Sequence, residues 1–353
     1  MLLSVRWIRA AGTFAVISSI VACGPDGDQP LLRALVLSDL NGPSGSLFYP
    51  AEVTQAVALA RGELRPDVVL IPGDMIAGQA PNLPDRRVRA MWDVFDATIA
   101  APLREAGIPI VFTLGNHDGA AQPQHARDRR MAAEYWRSRV DADDLPFVNH
   151  EQFPFTYSVR FRDVFIAVWD ATNGASGAND DLVDWLGDAL ESDAAEEAKH
   201  RIVLAHVPLY DVSSPPYYPD GVLDDADDLR EKLEDWDATM MLSGHHHAYY
   251  PGRRGALELL HAGSLGTYPR TLRGDPGPPL KTITVLDFYP DSVGVTTYAL
   301  DAARNAATPV PLENLPHAIC AQNGWVTRRD MATLEPDCPR RSRWHRFIDR
   351  LGF

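Results

Sequence analysis

Along most of the chain, short apolar runs alternate with longer stretches in which apolar positions recur every three to four residues. That alternation predicts an α/β domain. Leu35–Leu37, Val68–Ile71 and Ile110–Leu114 have the length and composition of buried strands, while Ala51–Arg61 and Arg86–Leu103 carry a helical period. Gly107–Pro109 supplies a turn into the third strand. The period then falls to two, so that Phe155–Phe161 and Val164–Trp169 predict a hairpin joined near Arg162 and Asp163. Asn179–Leu190 opens with a capping Asn and two acids, which predicts a helix leading into the strand Ile202–Ala205. Asp224–Leu233 repeats that step into Met240–Leu242, and strands are expected at Leu257–Leu260, Thr282–Asp287 and Val293–Tyr298. From about residue 301 the period fades into polar sequence. Trp92, Trp136, Trp169 and Trp185 fall in amphipathic or apolar patterns and are expected in the core.

The N-terminus reads as an address. Arg6 and Arg9 precede the uncharged stretch Ala10–Ala22, which is shorter than the roughly 20 residues a membrane-spanning helix needs. Its ending, Ile20-Val21-Ala22-Cys23, resembles the lipobox of bacterial lipoproteins, in which the cysteine is lipidated and becomes the mature N-terminus. The resemblance implies a signal peptide over residues 1–22 and a linker from lipidated Cys23 to residue 30. It also implies a membrane-anchored location in the bacterial cell envelope, on the periplasmic or extracellular side. An ordinary cleaved signal or a short uncleaved anchor is the alternative reading of the same residues.

Setting Cys23 aside leaves Cys320 and Cys338, an even pair expected to form a disulfide in an oxidising compartment, within a C-terminal extension over residues 301–353. With 33 Lys+Arg against 48 Asp+Glu the net charge is −15, and loss of the two leader arginines takes it to −17. Such a field repels polyanions, so no nucleic-acid partner is expected. The basic run Arg340–Arg346 is read as a solvated or membrane-proximal face.

Five segments place hard or borderline metal ligands directly after apolar runs, hence at strand C-termini, where sites form in α/β sheets. They are Asp39 and Asn41 in SDLNG, Asp74 in PGDM, Asn116–Asp118 in GNHD, His206 in AHVPLY, and His245 and His247 in GHHHAYY. The gaps between Asp39, Asp74, Asn116, His206 and His245 are 35, 42, 90 and 39 residues. This ordered set resembles the calcineurin-like metallophosphoesterase superfamily, whose blocks are DxH, GDxx, GNH(D/E), a single His and GHxH; the likeness covers roughly residues 33–300 and implies a metallophosphoesterase domain over residues 31–300. The resemblance implies a four-layer α/β/β/α sandwich of two mixed sheets flanked by helices. It also implies a dinuclear centre that hydrolyses a phosphate ester.

Carried over by position, one ion would take Asp39, Asn41, Asp74 and His247, and the other Asp74 as a shared bridge, Asn116, His206 and His245. Oxygen and imidazole donors without a thiolate suit Mn, Fe or Zn. Two divalent ions against two carboxylates leave about +2 at the site, which would draw a small phosphate ester into an otherwise acidic protein. His117 is the candidate proton donor to the leaving group, with Asp118 expected to orient its imidazole.

The chain departs from the family pattern at Asn41, where the family has His, and Ala77 stands where relatives often carry Asp or Tyr, so the purple acid phosphatase signature is not matched. His246 is expected to point away from the site, and His125, His150, His200, His261, His317 and His345 to be packing or surface residues. Asp170 is read as structural. The loop Gly42–Ser46 is either a phosphate-facing set of N–H groups or a plain turn. Mono- and diesters, nucleotides included, fit equally, and the oligomeric state is open. The rival function is a catalytically silent metal-binding lipoprotein serving as an envelope binding or structural module; a structural site would not require His117 and Asp118. A secreted nuclease is disfavoured by the charge.

Overall fold

The computed structural model describes residues 29–141, 144–172, 180–216, 221–275, 277–332 and 335–338. The leader, Cys23 and the basic run Arg340–Arg346 lie outside these residues, as does the expected capping residue Asn179.

In chain order the first strands are β1 (Leu32–Val36), β2 (Val68–Ile71), β3 (Ile110–Phe112), β4 (Phe147–Gln152), β5 (Thr156–Phe161) and β6 (Val164–Val168). They are followed by β7 (His200–Leu204), β8 (Ser213–Ser214), β9 (Met240–Ser243), β10 (Tyr250–Arg254), β11 (Leu257–His261) and β12 (Thr271–Leu272). The last are β13 (Thr282–Tyr289), β14 (Ser292–Asp301), β15 (Ala306–Pro309), β16 (Ala318–Ala321) and β17 (Gly324–Arg328). Two large sheets result. One has the order β15-β14-β13-β1-β2-β3, with β1, β2 and β3 parallel and the rest antiparallel. The other has the order β16-β17-β10-β11-β9-β7-β6-β5-β4, parallel from β11 through β9 and β7 to β6 and antiparallel on both flanks.

The parallel strands are the continuous apolar runs of the sequence because both of their faces are covered; every residue of β2, β3 and β6 is buried. One apolar core runs through both sheets. The sheets also meet through polar groups: the Tyr157 hydroxyl donates to the Phe112 carbonyl (2.7 Å) and accepts from the Phe112 N–H (3.0 Å). Helices α1 (Ala51–Leu59), α2 (Asp85–Phe95), α3 (Ala101–Glu105), α4 (Asn116–Gly119) and α5 (Ala126–Arg137) belong to the first half of the chain. Of these, α1 packs on β14 and α2 on α5. In the second half, α6 (Asp180–Leu190) packs on β6 and on α7 (Asp193–Glu196), and α8 (Ala226–Asp235) packs on β11.

The helix expected over Arg86–Leu103 is one rod with a π turn at Asp96–Ala100 inside it. Pro102 stands two residues past this turn, and the wider turn relaxes the ladder where proline supplies no N–H. The expected hairpin is β5–β6, turning at Arg162 with φ +53°. Trp136 stacks on Phe112 at 3.6 Å between ring centres, and Trp92 stacks on Tyr135 at 4.6 Å, so these tryptophans are core.

Several elements lie where the sequence pattern shows none. Strand β4 is an exposed edge with the polar sequence Asn149-His150-Glu151-Gln152. Strand β10 contains Pro251 and Gly252, both strand-averse; it pairs nonetheless because a side chain at Gly252 would collide with Val326 of β17. Residues 306–309 and 318–328, in the polar tail, form strands that extend both sheets. Cys320 of β16 is disulfide-bonded to Cys338. No helix among the described residues is long and apolar enough to cross a membrane.

Candidate metal centre

All five ligand-bearing segments leave the C-terminal ends of parallel strands. Asp39 follows β1, Asp74 follows β2 and Asn116 follows β3 in one sheet; His206 follows β7 and His245 follows β9 in the other. Asp39, Asp74 and His206, all buried, bring one ligand atom each to within 4.8 Å of one another. His206 Nε2 lies 3.6 Å from Asp74 Oδ1 and 2.8 Å from Asn116 Oδ1. His247 Nε2 lies 3.4 Å from Asp39 Oδ1. The His245 N–H donates to that same Asp39 oxygen (3.0 Å), and its ring stands 4.9 Å from that of His206. Asn41 is buried and its backbone is pinned, its N–H to the Asp74 carbonyl (3.2 Å) and its carbonyl to the Thr267 N–H (3.0 Å). Its amide group forms no hydrogen bond among the described residues. Six of the seven candidate ligands are thus drawn into one network, and the seventh is held beside it by backbone.

The backbone here is unusual in a consistent way. Asp39, Asp74, His245 and His247 all have positive φ (48°, 56°, 65° and 56°). Non-glycine residues adopt that region at a cost of about 1–2 kcal/mol each, and such positions gather at functional sites. Gly73, at φ +92°, precedes Asp74, and a Cβ there would sit 2.4 Å from His206 Nδ1. A Cβ on Gly115 would sit 2.1 Å from Asp74 Oδ1. The glycines of the PGD and GN motifs are therefore dictated by close approach to the ligands.

Two histidines share one wiring. His206 Nδ1–H donates to the Pro72 carbonyl (2.7 Å) and His247 Nδ1–H to the Tyr268 carbonyl (3.1 Å), so each turns Nε2 towards a site oxygen. In the neutral tautomer these Nε2 atoms carry lone pairs aimed at oxygens that also carry lone pairs, an arrangement that a cation reconciles. The residues present fit a metal ion on this ground, and the O/N donor set fits hard to borderline divalent ions.

The electrostatics agree. Burial opposes ionisation of Asp39, but the charges of His247 and His206 and hydrogen bonds from His247 and Ser38 outweigh it and hold the carboxyl below its ordinary value. For His247, burial works against protonation, and the Asp39 carboxylate overcomes it and raises the imidazole. His245 is held well below its usual value by burial and by the neighbouring imidazoles, which favours the neutral imidazole.

One expected role is corrected. Asp118 does not orient His117. Its carboxylate closes the turn of α4 on itself, accepting from the N–H groups of Gly115 (2.8 Å) and Ile76 (2.9 Å). Three residues after the N-cap, a carboxylate reaches the N-cap amide more readily than a side chain on the far face. Burial and the charge of Asp74 push this carboxyl up to about 7. His117 is oriented instead by the Gly78 carbonyl, 3.2 Å from its Nδ1. Gln79, which no motif marks, accepts from Asn116 Nδ2 at 2.8 Å.

The remaining readings resolve as follows. His246 turns away from the centre, its Nε2 donating to the Gly221 carbonyl (2.7 Å). His200 and His261 are buried packing residues. Asp170 is structural, paired with Arg129 and accepting from Thr172 Oγ1. In the loop after Asn41, the N–H groups of Gly45 and Ser46 are taken by the Ala77 and Pro43 carbonyls, so these two are engaged within the protein.

A family model described as calcineurin-like phosphoesterase matches residues 32–249, which span every candidate ligand. The chain belongs to the calcineurin-like phosphoesterase family. Among solved structures it is similar to a purple acid phosphatase, PPD1, from yellow lupin (Lupinus luteus) seeds. The two are 14% identical over 79% of this chain and 52% of that one, with a TM-score of 0.54. It is also similar to PhoD, 11% identical over 82% of this chain and 73% of that one, with a TM-score of 0.53. This chain thus spans about half the length of the lupin protein. At these identities the likeness shows the fold: two mixed sheets with flanking helices, as in other calcineurin-like phosphoesterases. No curated protein matches the sequence.

Proposed function

We propose that this calcineurin-like phosphoesterase hydrolyses a small phosphate ester at a two-ion centre, as an exported, lipid-anchored protein of the bacterial cell envelope. The observation that carries the reading is the convergence of Asp39, Asp74 and His206 with their ligand atoms within 4.8 Å. By the family pattern Asp39, Asn41, Asp74 and His247 would hold one ion and Asp74, Asn116, His206 and His245 the other; the 3.6 Å between Asp74 Oδ1 and His206 Nε2 supports Asp74 as the shared ligand. A pair of Mn, Fe or Zn ions held there would neutralise the phosphoryl oxygens and lower the pKa of the attacking water.

The chain's own residues do the rest. The Pro72 and Tyr268 carbonyls fix the tautomers of His206 and His247 with Nε2 inward. His117, its Nδ1–H held by the Gly78 carbonyl, would as the imidazolium pass its Nε2–H to the departing alkoxide and be left neutral. Asp118 supports this only through the backbone of the loop.

Leaving groups separate this role from mere binding. His117→Ala should lower kcat/KM on an alkyl phosphate by about 10²–10⁴-fold with metal content unchanged, the usual share of a general acid. The loss on p-nitrophenyl phosphate should be smaller, because nitrophenolate departs without a proton. Equal losses on both substrates would assign His117 to phosphoryl binding instead.

The envelope location rests on the lipobox-like Ile20–Cys23 sequence and on the Cys320–Cys338 disulfide, which an oxidising compartment favours. Cys23→Ala should move the protein from the membrane fraction to the soluble fraction of cells; unchanged membrane retention would remove the lipid anchor.

A further inference from the structure

The amide of Asn116 has two nearly isosteric faces, and only its carbonyl oxygen binds a cation. A half-turn about the Cβ–Cγ bond would exchange oxygen for NH₂, so shape alone does not choose the face. The hydrogen bonds do. Asn116 Nδ2 donates to Gln79 Oε1 at 2.8 Å, and Oδ1 consequently faces His206 Nε2 at 2.8 Å. Since Nδ1 of His206 is bound to the Pro72 carbonyl, this orientation leaves two lone pairs opposed when no cation is bound. Without an acceptor at position 79, the amide would do better to turn over and donate Nδ2–H to His206 Nε2, and the ligand oxygen would leave the site.

Gln79 is held at φ +69°, a strained conformation for a residue with a side chain. Its neighbour Gly78 accepts from His117 Nδ1, and a Cβ on Gly78 would lie 2.2 Å from the His117 carbonyl oxygen. Residues 78 and 79 therefore form a saddle that grips two successive side chains of the GNHD loop, the metal ligand and the proton donor.

Resting on the two-ion reading above, we infer that Gln79 is a positioning residue whose side-chain oxygen fixes the rotamer of Asn116 and so sets the affinity of the ion held by Asn116, His206 and His245. Gln79 itself touches no ion and no substrate. Its only requirement is to accept a hydrogen bond, which a glutamate does and a leucine does not.

Metal-free full-length wild type, Gln79→Leu and Gln79→Glu are titrated with Mn²⁺ by calorimetry, which counts ions per chain and their Kd values. In Gln79→Leu one of the two ions should bind about 10–100-fold more weakly, the usual cost of losing a partner that orients a ligand. Gln79→Glu, which can only accept, should bind both ions at least as tightly as wild type. Gln79→Ala should repeat the loss if leucine does not fit. Wild-type binding by Gln79→Leu and Gln79→Ala, or a loss in Gln79→Glu as large as in Gln79→Leu, would overturn the assignment while leaving the metal centre intact. A wild type that binds no Mn²⁺ would remove both the centre and this role.

Discussion

Asp74→Asn should reduce turnover of p-nitrophenyl phosphate by about 1,000-fold or more at saturating Mn²⁺, since ion-based charge stabilisation is worth several kcal/mol and each 1.4 kcal/mol is about tenfold in rate. In the two-ion reading Asp74 would serve both ions; its Oδ1 is 3.6 Å from His206 Nε2 and accepts from the His117 N–H at 2.9 Å. Its carbonyl holds the N–H groups of Leu40 and Asn41, so the backbone anchors survive the substitution. Asparagine keeps the shape and one oxygen but loses the charge that two cations would share. The fold should persist, and in the metal-free state it should not weaken at neutral pH, because the lost charge is one of the two causes that push Asp118 up to about 7. Elemental analysis should show fewer ions per chain than in wild type. Wild-type rates with unchanged metal content would remove Asp74 from the centre.

Gly73→Ala should destabilise the protein by about 2–4 kcal/mol, combining the cost of a side chain at a left-handed φ with overpacking. The new methyl group would meet His206 Nδ1 at 2.4 Å and Gly115 Cα at 2.8 Å, and both neighbours are fixed, one by the Pro72 carbonyl and the other by the start of α4. Relief would require His206 to swing out of the ligand set. The measurement is urea unfolding of the metal-free protein beside a Mn²⁺ titration. A change in stability within experimental error, with unaltered binding, would show that the PGD turn has slack that the structure does not display. Together, Asp74→Asn and Gly73→Ala separate two demands on one motif: charge at the ligand, and room beside it.

Asp39, Asp74, Asn116, His206, His245 and His247 were legible as candidates because each follows an apolar run and the glycines beside them mark turns. Their meeting was legible only through the order of the blocks. Asn41 shows the limit: the motif names it, yet its amide stays outside the side-chain contacts that join the others, and only its backbone is held there. Asp118 shows another, since a carboxylate next to His117 in sequence proved to belong to the backbone of its own turn. The helix α5 and strands β4, β10, β15, β16 and β17 were not anticipated; the strands are short, polar or interrupted by Pro and Gly, and they exist because neighbouring strands offer an edge to pair with.

By itself the sequence determined the alternation of strands and helices, the apolar character of the parallel strands and the identity of the ligand-bearing turns, because these depend on local periodicity and on residue chemistry. Only the tertiary structure decided which carbonyl fixes each imidazole, which acceptor holds Asn116, and where the carboxylate of Asp118 points. Pro72 and His206 are 134 positions apart, and Asp39 and His245 are 206 apart. No local pattern encodes which partners such groups meet; that follows from two sheets packing so that the C-terminal ends of their parallel strands face one another.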